Sequence, residues 1–534
     1  MRVLWRLFVM VAVAGVGLTV SVAKPASAAS QLQVTAQPAL YPAFSPSVHY
    51  YVSRCNNQPV KLTVAVPSAT TVTVDGQLVQ SGTTFDTQVA VAQGQEFLIS
   101  WSSDPQPYHV RCLPTDFPAW TAQRSGTTET QYIVVTPDAG GSAGSGSGGA
   151  NAPYVAVFDN NGVPRWWFKD ISANGLAPFD AKPLANGDLV WMDWAVGKTG
   201  TPYIEHRLDG TTVKTYWPAP NNATTDLHEL QVLPNGNYFL AIDTQKTNVD
   251  VSPCEQPHSQ DLRTVGDEVL EELDSHGGLL WSWDVADHIG LDQVAPGFYS
   301  FCLNGDPYHF NAIEPTSDGN IIASFRHLDA IFKIQVAGAG SGNILWKLGG
   351  KAITQSLTIQ NDPNSSADFG GQHDPRVYSD GTVTIHDNGT TRNRAARGVR
   401  FQVDTTNNTA TLVESVTDNL NSGCCGSARK LPGGNWLVDW GGTPTTTEIT
   451  SNSTVVFTLT FSNVFSYRAV PVTDASYGDA LNTGMNTQYF RTPQGGGPAS
   501  TVPEAPLGAM LPFAGVGAVA TAALFMRRRL SKPN

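Results

Sequence analysis

Three histidines open the same local pattern in this chain. His228 begins HELQVLPNGNYFL, His309 begins HFNAIEPTSDGNIIASF, and His373 lies in QHDPRVYSDGTVTIHD. Each starts a short strand, a turn follows (Asn235-Gly236, Asp318-Gly319, Asp380-Gly381), and a second strand begins. Imidazoles brought together can supply a nucleophile, carry protons or hold a metal. Asn311 lies two residues beyond His309, so strand alternation turns it to the same face. Arg326 ends the strand after Asp318-Gly319, beside His327. The expected site is therefore three imidazoles, an amide and a guanidinium. A guanidinium opposes a bound cation, and Glu229 and Asp374 stand one residue out of phase with the histidines, so no metal is expected. His386-Asp387-Asn388 forms a second cluster at a strand end, expected to support the first.

A repeated β-unit must position these groups. The turn recurs at Asn186-Gly187 and Gly433-Gly434, and a second element ends in tryptophan strands: GVPRWWF, TVKTYW, GLLWSW, NILWKL. About six units fill residues 153 to 466, a period that reads as a six-bladed β-propeller. The first strand of each blade lines a propeller's channel, so the histidines converge on its axis. The tryptophans are expected to pack between blades. Two stretches, 244–267 and 287–306, exceed what blade turns need and are expected to form a flap tied by Cys254 and Cys302. Gly197-Lys198-Thr199 imitates the end of a phosphate loop, but Met192 stands where the leading glycine belongs, and no nucleotide site is expected.

The rest of the 534 residues divides by composition. Residues 1–28 read as a signal peptide: Arg2 and Arg6, an apolar stretch, then Ala26-Ser27-Ala28. Residues 31–120 alternate as a small immunoglobulin-like β-sandwich, with Cys55 and Cys112 expected to staple its first and last strands. The propeller domain, 121–490, carries a Gly/Ser-rich loop at 138–152. A Gly/Pro-rich spacer (491–506), an apolar transmembrane helix (507–526) and a basic cytoplasmic tail (527–534) follow. These last parts resemble bacterial surface-sorting tails, but Leu511-Pro512-Phe513-Ala514-Gly515 lacks the sortase threonine, and a plain membrane anchor is the reading adopted. Export would place all six cysteines where disulfides form. Adjacent Cys424 and Cys425 make a vicinal bridge, a rigid turn or a redox-sensitive spot. A net charge of -13 argues against nucleic acid as a partner.

The segments around the three histidines, with Asn311, Arg326-His327 and the Asp387-Asn388-Gly389 run, resemble the bacterial arylsulfotransferases. The resemblance covers about 154–467 and concentrates in those stretches. It implies a six-bladed propeller that moves a sulfuryl group from an aryl sulfate to a phenol by a ping-pong route, without a cofactor. His373 matches the nucleophile that is transiently sulfated; His228, His309, Asn311 and Arg326 match the groups around the transferring sulfuryl. A neutral imidazole beside an arginine suits that role. The N-terminal domain, the 254–302 insertion, the paired cysteines and the C-terminal anchor depart from compact periplasmic enzymes. Two other functions remain open at this stage: a non-catalytic surface propeller binding a ligand or envelope partner, and a metal-dependent lyase or hydrolase.

Overall fold

The computed structural model describes residues 31–79, 82–137, 154–170, 177–194, 201–220, 223–255, 258–364, 369–462 and 464–493. The expected signal peptide, Gly/Ser loop, membrane helix, basic tail and most of the spacer lie outside these. No helix among the described residues is long and apolar enough to cross a membrane.

Strict alternation builds the N-terminal unit. In Val60–Ala65 the residues Val60, Leu62 and Val64 are buried while Lys61 and Thr63 face water, the pattern of a sheet with one face on a core. Gln33–Gln37, Val60–Ala65 and Thr84–Val89 form one sheet. Leu40–Tyr41, Tyr50–Ser53, Tyr108–Cys112, Glu96–Trp101, Val72–Val74 and Gln77–Val79 form the other, in that order. The Cys55–Cys112 disulfide closes this unit. It joins the ends of two neighbouring parallel strands, Tyr50–Ser53 and Tyr108–Cys112, not the first and last strands of the unit as the sequence spacing implied.

Six further sheets form a ring. Blade 1 runs outward from Ala469–Val472 through Tyr132–Val135 and Tyr154–Asp159 to Pro164–Lys169. Blades 2, 3 and 4 begin at Ala177–Pro183, at the short pieces Thr224–Thr225 and Gln231–Val232, and at Phe310–Pro315. Blade 5 begins at His373–Val377, and blade 6 runs from Ser427–Lys430 to Val455–Phe461 with Trp120–Arg124 added outside. Chain segments from both ends thus close the ring: the last strand is innermost in blade 1 and an early one is outermost in blade 6. Closure leaves short, protected edges. The recurring turns carry glycines at φ +88° (Gly187), +85° (Gly236), +78° (Gly319), +80° (Gly381) and +111° (Gly434), a left-handed conformation that explains why glycine recurs there. Trp166, Trp167, Trp191, Trp283, Trp436 and Trp440 are fully buried.

A helix, Tyr477–Gln488, has no counterpart in the sequence reading. Its glycines and asparagines are poor helix formers; packing decides. A Cβ on Gly484 would fall 2.5 Å from the Leu208 carbonyl oxygen, so the helix lies close against blade 2. It also binds the sandwich: Arg111 donates to Asn482 and Asn486 at 3.2 and 2.7 Å, and Arg491 just beyond it pairs with Asp75 at 2.7 Å.

Candidate active site at the channel mouth

The inner strands are not regular where the site forms. Register shifts interrupt blades 2, 4 and 5 between Phe179 and Lys182, Phe310 and Ala312, and His373 and Arg376. Asp180, His309 and Asp374 there have φ of 51°, 54° and 53°. A bulge re-aims side chains that strict alternation would separate. His373 and Asp374 therefore both turn inward; in blade 3 the inner strand is broken between Thr225 and Gln231, and His228 and Glu229 lie in that break.

His373 is buried, and its proton is assigned by its partners. Asn388 Nδ2 donates to Ser422 Oγ at 2.7 Å and to the Cys425 carbonyl at 3.0 Å. Asn388 Oδ1 is left as the acceptor 2.8 Å from His373 Nδ1. Nδ1 therefore carries the hydrogen, and Nε2 keeps its lone pair, accepting the Cys425 N–H at 3.1 Å. Burial first, then the Arg326 charge, holds His373 well below an ordinary histidine. It is a neutral imidazole with one defined nucleophilic nitrogen.

His228 has the same polarity. Its Nδ1 lies 2.9 Å from Asp226 Oδ2, leaving Nε2 bare. Burial pushes His228 down to about 4 and Asp226 up to about 7. The His228 and His309 rings are 5.2 Å apart. His309, with its side chain 30% exposed, bonds Asp306 at 2.7 Å. Against burial, His309, His327 and His228 hold the Asp306 carboxyl well below the usual range.

Arg326 donates through Nη1 to His327 Nε2 at 3.0 Å and through Nη2 to the Gly423 carbonyl at 2.9 Å. His327 Nδ1 in turn donates to the Asp306 carbonyl at 2.8 Å, and burial pushes His327 down to about 3. Asn311 Nδ2 donates to the Gln372 carbonyl at 2.7 Å, directly before His373, while its buried Oδ1 has no hydrogen-bond partner. Tyr467 lies 6.5 Å from His373 and 5.8 Å from His228, centroid to centroid. The five residues singled out in the sequence are thus brought to one mouth.

The second cluster divides. Asn388 reaches His373; Asp387 is spent on Arg394 and Arg397; His386 is buried without a hydrogen bond, 6.1 Å from Trp440. Cys254 and Cys302 are bridged, whereas Cys424 and Cys425 are thiols. The vicinal-bridge reading is therefore corrected: Cys425 sits at φ 62° with its N–H on His373 and its carbonyl on Asn388. The pair is a tight turn that holds His373 and Asn388 together.

Below the histidines lies an ion cluster that the sequence reading passed over. Arg468 pairs with Asp180 at 2.7 Å and Glu229 at 2.9 Å. Arg376 pairs with Glu229 at 2.8 Å and Asp374 at 2.5 Å. Lys182 closes the set on Asp180 and Glu229. Against burial, Arg376, Arg468 and Lys182 hold Glu229 at about 2. The signal was in the sequence as Glu229 and Asp374, next to two of the histidines; a bulge in blade 5 and a broken strand in blade 3 bring them to the cluster.

Among the described residues, one group has metal-ligand spacing: Asp306, His309 and His327. Both ring nitrogens of His327 are engaged, by Arg326 and by the Asp306 carbonyl, so it offers no free lone pair. His228 and His373, which the metal-dependent alternative would need, are not in that group.

No curated protein matches the sequence. Solved structures align with the chain at low similarity. A Bacteroides caccae protein of unknown function is 13% identical (TM-score 0.39), covering 65% of this chain and 100% of that one. Virginiamycin B lyase of Staphylococcus aureus is 10% identical (0.33; 64% and 87%). A periplasmic gluconolactonase of Pseudomonas aeruginosa is 12% identical (0.32; 70% and 92%). Likeness at this level carries no functional argument. The model of one family, Arylsulfotransferase (ASST), matches residues 122–469, from within Trp120–Arg124 to the start of Ala469–Val472 and so nearly the whole ring, and this chain belongs to that family.

Proposed function

We propose that this sulfotransferase carries the sulfuryl group on Nε2 of His373, between an aryl sulfate donor and a phenolic acceptor. The observation that supports it is the assigned tautomer: Nδ1–H held by the Asn388 amide, with Nε2 unprotonated and covered only by the Cys425 N–H. In the first half-reaction the Cys425 N–H gives way, the Nε2–S bond forms and the S–O(aryl) bond breaks. The product on His373 is an N-sulfo imidazolium. Because Nδ1–H faces a neutral amide and not a carboxylate, that cation is not neutralised and stays a good leaving group. Arg326, pre-oriented by His327 and Gly423, stabilises the sulfuryl oxygens as charge spreads over them. In the second half-reaction the acceptor phenol gives its proton to His228 Nε2. The imidazolium is matched by Asp226, and the phenolate oxygen takes the sulfur. The donor half-reaction runs the same proton step in reverse.

The reading also puts the ring outside the cytoplasm, with the sandwich as an accessory domain and the apolar C-terminal segment as a membrane anchor. Two disulfides support an oxidising compartment. The chemistry is tested by incubating residues 31–493 with 4-nitrophenyl sulfate, with and without phenol. Intact mass at neutral pH is expected to show one added sulfuryl group that phenol discharges, and His373→Ala should show neither adduct nor turnover. An unmodified wild-type chain without turnover would sink the proposal and return the ring to a ligand-binding surface.

A further inference from the structure

We infer that the disulfide-tied insertion forms the aryl-binding subsite of this enzyme, with Phe301 as the face on which the substrate ring lies; this rests on the proposed function.

The insertion is built, not loose. The hairpin Tyr238–Asp250 and Leu262–Leu273 has 13 and 12 residues per strand, against 8 in the next longest described strands. Its tip carries Cys254. The connection to blade 4 folds into Leu291–Gln293, Pro296–Phe298 and the short helix Tyr299–Leu303, which carries Cys302. The bridge joins the two, and Val251, Val265, Leu291, Val294 and Phe298 pack around it. Gly266 N–H donates to the Gly305 carbonyl at 2.6 Å. A Cβ on Gly297 would come 2.5 Å from Thr391, so the insertion also leans on blade 5.

This fixed body presents two phenylalanines. Phe298 is buried, with the Arg326 guanidinium 4.7 Å above its ring and His327 stacked at 4.5 Å. Phe301 is 46% exposed, and its ring lies 4.7 Å from His327. Its backbone is held, the Asp306 N–H donating to its carbonyl at 2.9 Å. From Phe301 a row of rings continues through His327 to His309 (4.6 Å) and on to His228 (5.2 Å). A flat ligand ring laid on Phe301 would remove apolar surface from water, a gain of roughly 25 cal/mol per Å². The substrate matches the layout: an anionic head for Arg326 and a flat ring for Phe301. Donor and acceptor phenols place their oxygen at the same point in the two half-reactions, so one subsite serves both.

The test is phenol binding by calorimetry, which needs no turnover, with donor kinetics on 4-nitrophenyl sulfate beside it. Phe301→Ala is expected to weaken phenol binding and raise the donor KM about tenfold, and Phe301→Tyr to restore most of both. At saturating donor Phe301→Ala should still load His373. A Kd and KM within about twofold of wild type would overturn the inference. The double variant Cys254→Ser/Cys302→Ser, checked for an intact fold by circular dichroism, should weaken phenol binding in the same direction; unchanged binding in the folded variant would overturn the role of the tie. A wild-type chain that binds phenol but never forms the adduct would count against the sulfohistidine route and leave the subsite standing.

Discussion

At the scale of single residues, the proposed nucleophile is defined by what does not touch it. His373 meets an amide, a carbonyl and a backbone N–H, and no carboxylate. That keeps the imidazole neutral across the physiological range. Asn388→Asp alters one atom and reverses the logic. A carboxylate on Nδ1 raises the His373 pKa, so activity gains an acid limb near neutrality and falls as pH is lowered through it. It also stabilises the sulfo-imidazolium, so the second half-reaction slows and the adduct accumulates. Rapid-quench mass spectrometry across pH 5–8 reads both effects; a variant with wild-type discharge and an unshifted profile would show that the amide only fills space.

At the scale of elements, the bulged inner strands separate what the sequence made legible from what it did not. Histidine, strand and turn recur visibly, so the blades and the convergence of His228, His309 and His373 could be read from spacing. So could Asn311 and Arg326. Period-two alternation, however, turns Asp374 away from the site that His373 enters, and a bulge is invisible to a pattern that assumes regular pleating. Asn388, in the second cluster, was expected only as support, because its contact depends on a hairpin register and not on spacing. Tyr467 and Arg468 were missed for a topological reason: they lead into Ala469–Val472, the last strand of the ring, which closes blade 1 from the far end of the chain. Arg468 is where that closing strand meets the charges freed by the bulges, bonding Asp180, Glu229 and the Asn311 carbonyl. Arg468→Met fills its volume but takes one of the three cations from the buried Asp180 and Glu229 cluster, at a cost of up to roughly 3–5 kcal/mol. Urea unfolding of the purified variant measures it, and a loss below about 1 kcal/mol would mean that Lys182 and Arg376 suffice.

At the scale of the whole molecule, closing a ring around polar inner strands buries titratable groups of both kinds, and they oppose one another with pH. Burial lowers His228 and His386 to about 4 and His327 to about 3. Their contribution to stability is full above their unfolded value near 6.5 and is lost as pH falls towards 4. Burial raises Asp226 and Asp267 to about 7 and Asp439 to about 8. Theirs is full below about 4 and is lost as pH rises through 7 and 8. Between pH 4 and 6.5 the two slopes offset each other. Above 6.5 the histidine slope is gone, and only the carboxyl slope remains. The melting temperature is therefore expected to fall from pH 6.5 to 8.5. Asp439 isolates the effect, because it is buried, sits in blade 6 and accepts a hydrogen bond from Thr446 at 2.7 Å that an amide oxygen can also accept. Asp439→Asn should differ least from the wild type below pH 4, and should gain about 2 kcal/mol on it between pH 6.5 and pH 8.5. Parallel wild-type and variant melting curves across that range would show that Asp439 stays ionised in the fold, and that the alkaline slope belongs to other groups.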